Sequence, residues 1–291
     1  MMKTSFVIYL PVLSVLVTVL CICIVIACKK KNLDLKEDTD PYAVPFGFDS
    51  KINGTAYGTL TEKEYFSTTT GVTRKCYVYT PPEYDSGVTY PVMYLLHGIG
   101  GTHTEWLGGN PNEILSNLIN AGKSKPMIVV MPNARAMDPD IVPSDIFGTP
   151  SINAFNNFIN DLKNDLMPFI NDNYPVPNER SKRAIAGLSM GGMESLHIGI
   201  RMPEIFGYIG AFSSAPGLPL TAAQMKLPDE YKNNTFIMIC CGLQDSLLSY
   251  SQTYNQSLVD NGVKTTYYTI HGGHDFSVWK NGLYHFAKGI F

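Results

Sequence analysis

The chain has 291 residues, 45% of them hydrophobic and 16% charged, and a formal net charge of −3. That length and apolar content suffice for one substantial core, while the weak negative charge leaves no electrostatic footprint for nucleic acid. No internal repeat and no long low-complexity segment appears, which excludes solenoid and disordered-linker architectures.

From Phe6 to Cys28 the chain is apolar apart from Ser14 and Thr18, with Lys3 before the run and Lys29, Lys30 and Lys31 after it. The run is long enough to span a bilayer. It ends in Val25-Ile26-Ala27-Cys28, which resembles the bacterial lipobox, whose cysteine is lipidated and becomes the mature N-terminus. Residues 1–28 therefore read as a lipoprotein signal with Cys28 as the lipidation site. The rival is a retained membrane anchor, which the three lysines favour because positive charge tends to stay inside. Either way the segment is set aside from fold reasoning. Residues 29–50 are polar and carry Pro41 and Pro45, and read as a tether; residues 51–291 form the expected catalytic domain. Cys76, Cys240 and Cys241 remain outside the signal. Neighbours on a strand face opposite ways, so Cys240 and Cys241 read as packing residues rather than a bridge.

Strand-like and helix-like segments then alternate, which predicts a mostly parallel sheet with helices on both faces. Val72 to Thr80 reads as a strand stopped by Pro81-Pro82. The apolar run Pro91 to Leu96 leads into His97-Gly98-Ile99-Gly100-Gly101, a glycine-rich turn able to aim backbone N–H groups at a developing oxyanion. Glu113 to Ala121 reads as helix and Met127 to Met131 as a buried strand. Phe155, Phe158, Ile159, Leu162, Leu166, Phe169 and Ile170 recur at the spacing of one long helix. Next come Ala184-Ile185-Ala186 and Gly187-Leu188-Ser189-Met190-Gly191-Gly192. A G-x-S-x-G between strand and helix is a nucleophile elbow, tight enough that glycine is required on both sides of the exposed serine. Ser189 to Ile200 is the helix behind it, and Tyr208 to Phe212 is another strand. Phe236 to Gly242 is a buried strand that delivers Asp245 to a loop. Tyr250 to Asp260 reads as helix, Tyr267 to Ile270 as the strand before His271-Gly272-Gly273-His274-Asp275, and Asn281 to Ile290 as a closing helix. The order nucleophile, acid, histidine is that of the α/β-hydrolases. The expected fold is a three-layer α/β-hydrolase sandwich with a mostly parallel central sheet. It has no room for a large cap domain, so the site should be an open cleft at the carboxyl ends of the strands.

A serine hydroxyl needs an adjacent base. His274 is the expected base, and Asp245 the group that fixes its tautomer. The N–H groups of Met190 and Ile99 are the expected oxyanion donors. Among rivals, Ser189 as a mere helix cap leaves its glycines unexplained. His271 competes with His274; Asp229, Asp260 and Asp275 compete with Asp245, although Asp275 adjoins His274 too closely to reach its ring. His97 is expected to serve through its backbone, His103 is loop-borne, and His197 and His285 read as surface or packing residues. His271, His274 and Asp275 lack a fourth ligand at a recognised spacing, so neither metal nor cofactor is expected. Trp106 and Trp279 flank the catalytic segments; packing is the default reading, and contact with a sugar or aromatic ring the alternative.

These motifs together resemble family-1 carbohydrate esterases, the feruloyl and acetylxylan esterase modules related to esterase D. The resemblance rests on Tyr94 to Gly101 with Glu105-Trp106, Ala184 to Gly192, Cys241 to Leu247 and Gly272 to Lys280, and covers roughly Lys51 to Phe291. It implies a serine esterase acting on feruloyl or acetyl esters of xylan-type polysaccharide, with nucleophile, acid and base at Ser189, Asp245 and His274 and oxyanion donors at Ile99 and Met190. The loops Ala134 to Thr149 and Ala215 to Asp229 depart from that pattern and are expected to line the acyl pocket. The expected setting is the cell surface, since polymers cannot enter a cell. Nearby alternatives are an exported esterase for a siderophore or an S-formylglutathione-like thioester, or acyl transfer to a sugar. A carbohydrate-binding lipoprotein without catalysis would have no reason to keep all three residues. The sequence says nothing of self-association.

Overall fold

A computed structural model describes residues 40–291. The expected signal or anchor at 1–28, with Cys28, and the tether as far as residue 39 lie outside the described residues. Among the described residues no helix is long and apolar enough to cross a membrane. Val44 to Phe291 form one compact unit. Asn117 Nδ2 donates to the carbonyls of Phe48 (3.0 Å) and Ser50 (2.9 Å), and Lys280 pairs with Asp49 at 2.8 Å, so the end of the expected tether is bound to the domain.

Eight strands form one sheet in the order β1-β2-β4-β3-β5-β6-β7-β8. They are β1 (Thr59–Ser67), β2 (Val72–Thr80), β3 (Val92–Leu96), β4 (Ile128–Pro132), β5 (Arg183–Leu188), β6 (Tyr208–Phe212), β7 (Phe236–Gly242) and β8 (Thr266–Ile270). The β1–β2 and β2–β4 pairs are antiparallel, and the remaining pairs run parallel. Strands β3, β4 and β5 are buried at every position, as strands covered on both faces must be. Strand β1 was not legible as a strand. Its Thr, Glu and Lys residues suit an edge, and only Tyr65 and Ser67 on it are buried.

The helices are α1 (Pro111–Asn120), α2 (Thr149–Asp161), α3 (Met167–Asn173), α4 (Met190–Arg201), the single turn α5 (Asp229–Lys232), α6 (Leu248–Asp260) and α7 (Phe276–Gly289). The long helix expected across 155–170 is α2 and α3 joined by a π-helical turn at Leu162–Leu166. Pro168 supplies the reason: it has no N–H to continue the ladder, and its ring crowds the carbonyl one turn back. Helix α7 starts five residues before the expected Asn281, because Asp275 caps it by accepting the Ser277 N–H at 2.8 Å. The three cysteines of the domain are free and buried. The main core lies between sheet and helices, with Phe155, Phe158, Leu166, Ile185, Leu196 and Phe206 fully buried.

The chain leaves β3 for β4 on one side and returns as β5 on the other. That reversal opens a crevice at the carboxyl ends of the two strands, where the glycine-rich turn and Ser189 both lie.

Candidate active site

Ser189 follows β5 directly, with φ 53° and ψ −116°. A side chain rarely adopts such a backbone, and here neighbours on every side impose it. The Ser189 N–H donates to the Phe212 carbonyl on β6 at 2.8 Å, and its carbonyl accepts from Ala215 N–H at 3.0 Å. The flanking glycines are a steric demand. A Cβ on Gly191 would lie 2.5 Å from the Leu96 carbonyl oxygen and 2.6 Å from that of His97; one on Gly187 would lie 2.5 Å from the Gly191 backbone. Helix α4 thus starts pressed against the end of β3.

The parallel strands bring the other groups to the same edge. His274 Nε2 lies 2.9 Å from Ser189 Oγ, and its Nδ1 lies 2.9 Å from Asp245 Oδ2. Gln244 joins the loops that carry acid and histidine: its N–H donates to the Gly272 carbonyl at 3.0 Å, and its Oε1 accepts the Gly272 N–H at 2.8 Å. Burial alone would raise the Asp245 pKa. Hydrogen bonds from the Leu247 N–H, the Ser213 hydroxyl and His274 outweigh it and hold the carboxyl below its ordinary value. An ionised Asp245 therefore accepts from the Nδ1–H of His274, leaving Nε2 free to accept from the serine. The His274 side chain is 31% exposed, so the site opens to solvent.

The rival residues lie elsewhere. Asp229 is exposed and pairs with Lys232, Asp260 accepts from Gln256, and Asp275 is occupied as the cap of α7. Both tryptophans are buried. Trp106 is fully buried and donates its Nε1–H to the Leu96 carbonyl at 2.9 Å. Trp279 is buried with its ring edge-on to His274, centroids 5.1 Å apart, so it backs the imidazole.

The glycine turn abuts the nucleophile: a Cβ on Gly98 would sit 3.3 Å from Ser189 Cβ. Met190 is the first residue of α4, and the first N–H groups of a helix have no partner within it. Behind the turn stand three side chains, those of Glu105, His97 and Arg135. Glu105 accepts the Gly98 N–H at 2.6 Å; burial raises its pKa, against the pull of that N–H, His274 and Arg135. The ring of His97, a residue expected to serve through its backbone, bonds the Gly98 carbonyl through Nδ1 at 2.6 Å. Arg135 donates to the Ile99 carbonyl. A charge one turn past a buried strand was the available signal for Arg135; the motif carrying Trp106 was the signal for Glu105. Of the two expected pocket loops, 134–149 borders the turn through Ile146 and exposes Ile141, Val142 and Phe147. In the other, Leu220, Met225 and Leu227 are buried in the core.

Sheet order, elbow and hydrogen-bonded serine, histidine and aspartate define an α/β-hydrolase fold. The Esterase family model matches residues 67–288, and the chain belongs to that family. It is 33% identical over 244 residues to an endo-1,4-beta-xylanase/feruloyl esterase of Xylanibacter ruminicola; the match covers 81% of this chain and 32% of that protein, so the chain spans about a third of the relative's length. It is 25% identical to an acetyl esterase of Caldicellulosiruptor saccharolyticus, over 64% of this chain and 78% of that one. A CE1 ferulic acid esterase of Anaeromyces mucronatus, solved with ferulic acid, superposes with TM-score 0.81 at 29% identity, over 86% of this chain and 97% of that one. These agree with the resemblance carried by the motifs.

Proposed function

We propose that the chain is a serine carboxylesterase that removes hydroxycinnamoyl or acetyl groups from xylan-type polysaccharide. The observation that carries the chemistry is the pair of 2.9 Å contacts linking Ser189, His274 and Asp245. As Ser189 Oγ attacks the ester carbonyl, His274 Nε2 takes its proton, and the carbonyl oxygen becomes an oxyanion held by the N–H groups of Met190 and Ile99. The imidazolium, stabilised by Asp245, returns that proton to the leaving alcohol. Water then repeats the sequence on the acyl-enzyme and releases the acid. The substrate class is supported by the names of the relatives, by the solved ferulic acid esterase, and by the apolar side chains of the 134–149 loop beside the turn.

Replacing Ser189 with alanine is expected to lower kcat by roughly 10⁴-fold or more with the fold intact, measured on p-nitrophenyl acetate alongside circular dichroism. Turnover within tenfold of the parent in that variant would refute the nucleophile. A panel of methyl ferulate, methyl sinapate and acetylated xylan separates the acyl groups, and rapid acetate release with negligible ferulate release discards the hydroxycinnamoyl option. Products formed with an added alcohol acceptor, read by mass spectrometry, distinguish hydrolysis from transfer.

The same proposal places the enzyme at the cell surface through residues 1–28, the support being the apolar run that ends in Val25-Ile26-Ala27-Cys28. Metabolic labelling with an alkyne fatty acid should mark the chain and be lost in Cys28→Ser. Equal labelling of both removes lipidation at that residue.

A further inference from the structure

The turn that adjoins Ser189 is clamped from its far side by two side chains that the relay does not use. The His97 ring is held on both sides, with Nδ1 2.6 Å from the Gly98 carbonyl oxygen and Nε2 2.8 Å from the Ala134 nitrogen and 2.9 Å from Asn133 Oδ1. Burial pushes the His97 pKa down to about 4, and the ring is neutral at pH 7. Arg135 is fully buried. Its Nη2 donates to the Ile99 carbonyl, its Nη1 to the Gly101 carbonyl at 3.3 Å and its Nε to Ser151 Oγ at 3.2 Å, and its guanidinium lies 5.0 Å over the Phe155 ring.

Arg135 does not have the partner a buried cation normally requires. Asp140 and Asp161 are both engaged by Arg74, at 3.7 and 3.5 Å, and among the described residues no carboxylate forms an ion pair with Arg135. Asp140 and Glu105 attract it from beyond ion-pair distance, while its N–H groups meet only carbonyl and hydroxyl oxygens. A buried charge so placed costs several kcal/mol in desolvation, and packing alone would favour an apolar side chain at that place.

Peptide geometry gives the charge a use. In a planar trans peptide the carbonyl and the following N–H point opposite ways. Holding the Gly98 oxygen on His97 and the Ile99 oxygen on Arg135 therefore turns the N–H groups of Ile99 and Gly100 away from the clamps. A charged donor on the Ile99 oxygen also polarises the Ile99–Gly100 peptide and strengthens the Gly100 N–H, while the Ile99 N–H belongs to the adjoining peptide whose oxygen His97 holds. We propose that Arg135 is a positioning residue of the oxyanion turn: its guanidinium pins the Ile99 and Gly101 carbonyls so that the turn's N–H dipoles are oriented before charge develops on the substrate. The inference rests on the serine esterase reading above, and it adds a residue that never touches substrate.

The test compares the parent with Arg135→Lys, Arg135→Met and Ser151→Ala, the last removing only the anchor of Nε. Three quantities are read below each variant's melting temperature: kcat and KM on p-nitrophenyl acetate, and the affinity of phenylboronic acid, whose tetrahedral adduct on Ser189 places an anionic oxygen where the oxyanion forms. Arg135→Met is expected to lower kcat about 100-fold and boronate affinity by a similar factor, with KM within about twofold. Arg135→Lys, which keeps the charge but loses the fork, should retain about a tenth of the activity, and Ser151→Ala should lie between it and the parent. A structural role alone would lower the melting temperature and leave kcat and boronate affinity of the folded fraction within twofold of the parent, and that result overturns the proposal. If Arg135→Met does not fold, the other two variants decide by the same criterion. A parent enzyme that forms no boronate adduct at Ser189 sinks the serine reading itself, and this inference with it; a parent that forms one while the variants match it sinks only the role of Arg135.

Discussion

Ser189 holds its unusual backbone in order to project a hydroxyl toward His274, and the strain of that conformation is open to measurement. Ser189→Ala and Ser189→Gly both remove the hydroxyl, so the difference between them isolates the backbone. At φ 53° glycine relieves the clash that a Cβ suffers, and Ser189→Gly is expected to be about 1 kcal/mol more stable than Ser189→Ala in urea unfolding. Equal stability would mean that the elbow is unstrained. Gly191 carries the opposite expectation. Its neighbours at 2.5 and 2.6 Å are backbone oxygens of β3 and the turn, which have no rotamer to escape to. Gly191→Ala should therefore lose about 3 kcal/mol or more, or fail to accumulate folded.

Among the elements, the π-helical turn between α2 and α3 shows what a period alone conceals. The apolar spacing through Phe155 and Ile170 is helical, but nothing in it distinguishes a straight helix from one that bulges ahead of Pro168. The bulge carries Asp165, whose carboxylate accepts the N–H and hydroxyl groups of both Thr68 and Thr69 and so ties the β1–β2 hairpin to the helix layer. Burial would raise the Asp165 pKa, but these bonds outweigh it and hold the carboxyl below its ordinary 3.8. A carboxyl depressed in the folded state stabilises the fold above the unfolded pKa, and that contribution disappears as pH falls through the folded value. Asp165→Ala is thus expected to cost about 2–4 kcal/mol at pH 7. The gap from the parent should narrow as pH drops below 3.8, measured by urea unfolding across pH 3–7. A gap independent of pH would assign the loss to packing instead of charge.

At the scale of the molecule, the segment 44–52 closes over α1 and α7 through Asn117, Asn110 and the Lys280–Asp49 pair. A chain beginning at residue 54 is expected to melt roughly 3–10 °C below one beginning at 44, from the loss of about 1–3 kcal/mol, while retaining the relay and its activity. Unchanged melting would show the segment to be ornamental. The sheet's parallel core was legible from its buried apolar runs, and the meeting of Ser189, Asp245 and His274 at one edge from glycine spacing and chain order, because an elbow and a strand-end loop impose local steric demands that composition records. The edge strand β1 was not legible, since half its residues face water and its pairing with β2 is a matter of neighbours. The same limit applies around the site. The sequence by itself determined which residues meet at the strand ends and which strands deliver them. Only the tertiary structure decided that Trp106 is core, that Trp279 backs the imidazole, and that His97, Glu105 and Arg135 converge on one turn. Those contacts join segments far apart in the chain, and the energy of a buried charge or an aromatic edge depends on what surrounds it in space.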